Sequence, residues 1–121
     1  MIETAAFRVW WDDDARVARV EWLPGSRGDL ATVKAVTAAI LRLARGPVPL
    51  LVDIRHMAAF EREARAHLLD DYGGASRVAL LAGSAVNRMV ANFFIGMKRL
   101  PVPIRMFTDR TEAITWLREQ Q

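Results

Sequence analysis

The sequence predicts an α/β protein with one mixed, mostly parallel sheet and the element order ββαβαβαβα. Three observations carry this. Two β-branched and aromatic runs open the chain around a polar turn, as a hairpin does. Helical periodicity then alternates with short apolar runs, the pattern of parallel strands joined by right-handed crossovers. The connections are short and no linker interrupts them, so residues 1–121 are expected to form one domain.

Each element has a local reason. Ala5–Trp11 and Arg16–Leu23 are the hairpin strands, with Asp12-Asp13-Asp14-Ala15 as an acidic turn. Three aspartates in a row suggest a cation, but they lack the alternate spacing and glycine of a calcium loop, so a turn is expected and no metal. Pro24-Gly25-Ser26-Arg27-Gly28 breaks the second strand, and Asp29 opens a helix to about Arg45. Leu30, Val33, Val36, Ile40 and Leu43 form its apolar stripe. Gly46-Pro47-Val48-Pro49 ends it and leads into Leu50–Ile54, an apolar run suited to a central strand. A loop over Arg55–Phe60 precedes a helix at about Glu61–Tyr72, whose first turn holds Glu61 and Glu63, and Gly73-Gly74 stops it. Arg77–Ala82 is the next strand. Gly83-Ser84 turns into a helix over about 85–98, Pro101 and Pro103 bracket its exit, and Ile104–Phe107 is the last strand. Asp109 and Glu112 have the spacing of a capping box for the terminal helix, which carries Ile114, Trp116 and Leu117.

Alternation places Phe7, Val9, Trp11, Ala18, Val20 and Trp22 on one sheet face and Arg8, Trp10, Arg19 and Glu21 on the other. The first face is expected to carry the helices. The second, which Arg105 joins, is expected to face solvent or a second subunit.

Composition excludes several chemistries. The 121 residues are 52% apolar and include no cysteine, so disulfides, thiolate metal sites and cysteine nucleophiles are out, and a cytoplasmic location is expected. Of 17 cations 15 are arginine, which lifts the pI to about 10.2 at a net charge of +3, but acids are interleaved with them, as in Glu61-Arg62-Glu63-Ala64-Arg65. A solvated surface is expected, not a nucleic-acid footprint. No apolar run reaches the length of a membrane span and the N-terminus has no secretory pattern, so neither membrane insertion nor export is expected. GxxxxGK[ST], GxGxxG after a strand and GxSxG are all missing, and no cofactor is expected. His56 and His67 lack a ligand spacing. Asp53, at the carboxyl end of a central strand, is the best single catalytic candidate by position, but it has no evident partner in the sequence and loop capping is its expected role. On the helix at 85–98, Phe94 and Ile95 fall beside the stripe of Val86, Met89, Val90, Phe93 and Met97. Either the chain's own closing segments cover them, or they mark a partner surface or pocket rim, as does Trp10 on the opposite sheet face.

The element order resembles the STAS superfamily of anti-sigma-factor antagonists, with their SpoIIAA-like fold. Leu51-Val52-Asp53-Ile54-Arg55 resembles the strand that ends in an acidic residue before the family's switch loop. Ala91-Asn92-Phe93-Phe94-Ile95-Gly96-Met97, Pro101 to Asp109 and Glu112 to Leu117 resemble the closing segments of small bacterial STAS-like proteins. The resemblance implies a small cytosolic adaptor that binds a protein partner, and makes Asp53, Phe60 and Glu61 switch-loop candidates. Regulated members carry a phosphate on a serine or threonine at the start of the helix that follows. Here Arg55 to His67 contains no hydroxyl residue, so that switch is not expected. Glu61 puts a permanent charge near the same place, either as a stand-in for phosphate or as an ordinary first-turn glutamate. The leading expectation is therefore a non-enzymatic protein-binding or regulatory module, itself a homodimer in one version. The alternatives are a carrier or sensor of a small apolar ligand, as in lipid-transfer relatives of the fold, and an enzyme using Asp53 with His56.

Overall fold

The computed structural model describes residues 1–70, 74–83 and 102–119. In chain order its elements are β1 (Ile2–Glu3), β2 (Phe7–Asp12), β3 (Val17–Trp22), β4 (Arg27–Gly28), α1 (Leu30–Leu43), β5 (Val48–Asp53), β6 (Ala59–Phe60), α2 (Arg62–Asp70), β7 (Ala75–Leu81), β8 (Ile104–Phe107) and α3 (Arg110–Arg118). Six strands build one sheet in the order β1-β2-β3-β5-β7-β8, antiparallel across the first two pairings and parallel across the rest. This is the mixed, mostly parallel α/β sheet that the sequence predicts. The helix expected at 85–98, with Phe94 and Ile95, lies outside the described residues.

The hairpin turn is held by its first aspartate. Asp12 Oδ1 accepts from the Ala15 backbone N–H at 3.0 Å, the Arg16 N–H donates to the Asp12 carbonyl, and Arg16 takes a left-handed φ of 59° to close the loop. Asp29 caps α1 by accepting from the Thr32 N–H at 2.8 Å, and Asp109 caps α3 through Glu112 N–H at 3.0 Å. α1 ends at Leu43, two residues short of the expected Arg45. Its C-cap Ala44 is already extended, three residues before Pro47.

Other boundaries differ for physical reasons. β5 begins at Val48, not Leu50, because Pro49 is accommodated within the strand where the ladder to β7 shifts register between Val48 and Pro49. β7 begins at Ala75, not Arg77, directly after Gly74 at φ 79°. α2 begins at Arg62, so Glu61 stands just outside it, its carbonyl accepting from the Arg65 N–H. The two-residue strands β1, β4 and β6 are additional; their apolar patterns are too short to register as strands.

The sheet has a core on each face. On one, Phe7, Val9, Ala18, Val20 and Trp22 pack with Val33, Val36 and Ile40 of α1 and with Leu50, Val78 and Leu80, as alternation predicts, and Trp11 packs against them half-buried. The second face corrects the expectation of an open surface. Ala113 and Leu117 of α3, both fully buried, cover Val17, Leu51, Ala79 and Leu81. Those strand residues are apolar on both sides of β5 and β7, and covering them contributes about 1.5–3 kcal/mol per large side chain. α3 packs on β5, β7 and β8, which leaves Arg8, Trp10, Arg19 and Glu21 on the β2–β3 half.

Candidate functional site

Ligands and partners of open α/β sheets gather at the carboxyl ends of parallel strands. Here that edge is built from the end of β5 and from two loops, Leu23–Asp29 after β3 and Ile54–Glu61 after β5. Asp53 closes β5, buried, in register with Glu21 of β3 and Leu81 of β7. Arg55, two residues on, folds back onto it. Asp53 Oδ1 accepts from the Arg55 backbone N–H and from Nε, both at 3.0 Å, and Oδ2 accepts from Nη2 at 2.8 Å. The spacing explains the geometry, because an aspartate readily accepts from the N–H two residues ahead, and that turn delivers the guanidinium side-on to the carboxylate.

Burial pushes the Asp53 carboxyl up. The hydrogen bonds from the Arg55 side chain and backbone, and the charges of Arg55 and His56, outweigh it and hold the group below the ordinary 3.8. Arg55 is raised in turn, chiefly by its hydrogen bonds to Asp53, against burial, with further help from the charges of Asp53 and Glu21. A carboxylate engaged at both oxygens and held ionised makes a poor general base.

Backbone bonds zip the two loops together. β4 and β6 pair in parallel, Arg27 with Ala59 and Gly28 with Phe60. Gly25 N–H donates to the His56 carbonyl at 3.1 Å, Ala58 N–H to Ser26 at 2.7 Å and Glu61 N–H to Gly28 at 2.9 Å. The approach is close at Gly28, where a Cβ would stand 3.0 Å from the flexible end of Met57, at Cε, and 3.5 Å from the Ala59 carbonyl. Arg27 Nε lies 3.7 Å from Glu61 Oε2 across the zipper. The result is one joined edge with Arg27, Arg55, His56 and Glu61 exposed on it.

The expected site residues divide accordingly. Asp53 and Glu61 belong to this edge, where Glu61 bonds to the neighbouring loop. Phe60 turns inward, its ring 6.3 Å from that of Trp22. Trp10 lies half-buried at the far end of β2, with the Arg19 guanidinium 4.7 Å over its ring and Arg19 itself 3.4 Å from Asp12. Phe94 and Ile95 fall outside the described residues. Sequence reasoning missed Arg55 as the partner of Asp53, although an acid and an arginine two apart at a strand end was the available signal. It also missed a cross-strand row of charge. Glu3, Arg8, Glu21 and Asp53 occupy one line of register over four strands, Arg8 lying 3.3 Å from Glu3 and 3.5 Å from Glu21.

Between α1, α2 and the sheet is a cavity of about 50 Å³, with Val20, Trp22, Val36, Ile40, Val52 and Phe60 among its walls. Thr37, also in the wall, donates its hydroxyl to the Lys34 carbonyl at 3.0 Å. Among the described residues no group of three or more His, Asp or Glu could hold a metal ion, and no helix is long and apolar enough to cross a membrane.

A mixed sheet with an opening hairpin, helical crossovers and a strand-end loop cluster defines the SpoIIAA-like fold. A structure of an uncharacterised protein of the DUF3478 family from Shewanella loihica PV-4, described as having that fold, is similar over 97% of this chain and 98% of its own, with a TM-score of 0.60 and 19% identity. The chain belongs to the family described as Domain of unknown function (DUF7793), which matches residues 9–121. A protein of unknown function from Arthrobacter sp. FB24 is 33% identical over 98% of this chain and 97% of its own, with a TM-score of 0.38. No curated protein matches.

Proposed function

We infer that the chain is a non-enzymatic binding module that docks a polypeptide partner on the carboxyl edge of its sheet. The observation that carries this reading is the zipper between the 23–29 and 54–61 loops, which holds Arg27, Arg55, His56 and Glu61 on one backbone-locked surface. Preorganised loops lose little conformational entropy on binding, and mixed charge confers partner specificity. The clasp between Asp53 and Arg55 supports a binding role over a catalytic one, since it engages both carboxylate oxygens. The edge needs no phosphate to be ordered, in keeping with the lack of a hydroxyl residue from Arg55 to His67.

A photo-crosslinking residue at position 56 of the full chain, expressed in its own cells, tests the reading. One dominant polypeptide adduct is expected, lost on Arg55→Glu and absent when the crosslinker stands at exposed position 34 on α1. No adduct at 56, or the same adducts from both positions, overturns it.

The cavity beneath α1 is the observation that favours a small-ligand reading. At about 50 Å³ it is roughly a third of the size of a cavity that admits benzene, so it suits nothing as large as an acyl chain.

A further inference from the structure

We propose that the chain pairs with a second copy of itself through the outer edge of β8, in an antiparallel, two-fold arrangement that continues the sheet from one copy into the other. Among the described residues β8 is the last strand of the sheet, paired only with β7. The carbonyls of Pro103 and Phe107 accept from the N–H groups of Val78 in β7 and of Ala82 just after it, each at 2.9 Å. Strand alternation therefore turns the backbone groups of Ile104, Met106 and Thr108 outward, a row of donors and acceptors ready for another strand.

The side chains beside that edge select the occupant. β8 and α3 flank a groove of about 280 Å³ lined by Arg105, Phe107, Thr111, Glu112, Trp116 and Glu119, among others. Arg105, Glu112 and Glu119 are exposed, and among the described residues no ion pair joins any of them to the rest of the chain. One cation on the strand, one acid on the helix and one at its C-cap form a self-complementary set. A two-fold axis sends each Arg105 toward the glutamates of the other copy, the reciprocal contact that an isologous interface requires.

Register follows from the same residues. Opposed residues of an antiparallel pair share a face, so the axis falls on a residue, and the two that keep the four-residue strand centred on its partner are Arg105 and Met106. An axis at Arg105 sets the two arginines against each other, which is destabilising. With the axis at Met106, Arg105 faces Phe107 of the other copy, the ring type it already covers at 5.3 Å within its own chain, and Ile104 pairs with Thr108. The second register also engages the outward backbone groups of all three residues, Thr108 included. α3 lies over β5, β7 and β8. The two α3 helices then stand about three strand spacings apart, roughly 14 Å, too far for direct helix packing but within reach of arginine and glutamate side chains.

Sedimentation equilibrium of the full chain tests this pairing. A dimer of the 13.6 kDa chain is expected. Arg105→Glu should weaken it at least about tenfold, ~1.4 kcal/mol, by setting three acids in the trough, and adding Glu112→Lys with Glu119→Lys should restore it. Met106→Pro, which removes an outward N–H from an edge strand, should also give a monomer, with circular dichroism reporting that the fold is kept. A monomer at every concentration overturns the proposal. So does a dimer indifferent to Arg105→Glu, or one that this substitution weakens and the charge swap fails to restore.

Discussion

The guanidinium of Arg77 lies 4.2 Å from the centre of the Trp116 ring, and its Nη1 donates to the carbonyl oxygen of the same tryptophan. Arg77 is buried near the start of β7, and Trp116 stands in the last turn of α3. The Trp116 carbonyl otherwise takes only a long 3.3 Å bond from the Glu119 N–H and lies at the negative end of the helix dipole, so a cation there strengthens its hydrogen bonding and is attracted to it. With Leu117 buried on the same turn, Arg77 straps the helix to the sheet.

Removing that strap should loosen α3. Arg77→Ala is expected to cost about 2 kcal/mol in urea unfolding, and Arg77→Lys to recover less than half of it, because an ammonium cannot lie flat on an indole. Trp116→Ala removes the ring and keeps the carbonyl. A double-mutant cycle over Arg77 and Trp116 should give a coupling of about 1 kcal/mol. Additive single effects would mean that the stacked geometry adds nothing.

The Asp53 clasp predicts a pH dependence. Its carboxyl titrates below the ordinary value when folded and near about 3.9 when unfolded, so its contribution is complete at neutral pH. It falls away as pH drops from about 5 through the folded value. Asp53→Asn should cost about 1–3 kcal/mol at pH 7, since a buried partner of a guanidinium loses its charge, and should flatten the acid limb of stability against pH. Some slope should remain from Asp12, held low first by the Ala15 N–H, and from Asp29, held low by its bonds to Thr32. An unchanged acid limb in Asp53→Asn would show that the clasp does not contribute.

Local chemistry made much of this legible in advance. The hairpin, the Asp29 and Asp109 caps and the stripe of Val33, Val36 and Ile40 follow from residues within a few positions of one another, and alternation places Phe7, Val9, Val20 and Trp22 on the helix face. What stayed hidden depends on long-range register. Glu21 meets Asp53 only once β3 lies parallel to β5, and the β4–β6 zipper joins residues about thirty apart. The second core was missed because Leu51, Ala79 and Leu81 sit in runs apolar on both faces, where alternation carries no information. Arg55 was readable from its neighbour Asp53 but was obscured by an arginine-rich background.

Gly28 should separate packing from flexibility in the candidate edge. Gly28→Ala brings a methyl group against the mobile end of Met57, which can shift, so a change of no more than about 1 kcal/mol is expected. Gly28→Val adds bulk toward the Ala59 carbonyl and the Phe60 ring, which cannot move without opening the zipper, and should cost about 1–3 kcal/mol. Amide exchange read at Ala58 and Glu61, the donors to Ser26 and Gly28, should accelerate in the valine variant alone. Equal exchange in both variants would mean that the two loops move independently.

The cavity beneath α1 is open space that a larger side chain could fill. Thr37 spends its single hydroxyl proton on the Lys34 carbonyl and the walls around it are otherwise aliphatic and aromatic, so a water there would find fewer partners than it needs and the space is expected to be dry. Val36, buried on α1, borders it. Val36→Ile adds one methylene where about 50 Å³ stands open, keeps the β-branched side chain, and should raise stability by about 0.5–1 kcal/mol. Ile40→Val enlarges the same space and should cost about 0.5–1.5 kcal/mol. Urea unfolding of the two variants, analysed at a common slope, decides the matter. If Val36→Ile destabilises by more than about 1 kcal/mol, the added group is straining a packed wall and the cavity does not extend to position 36.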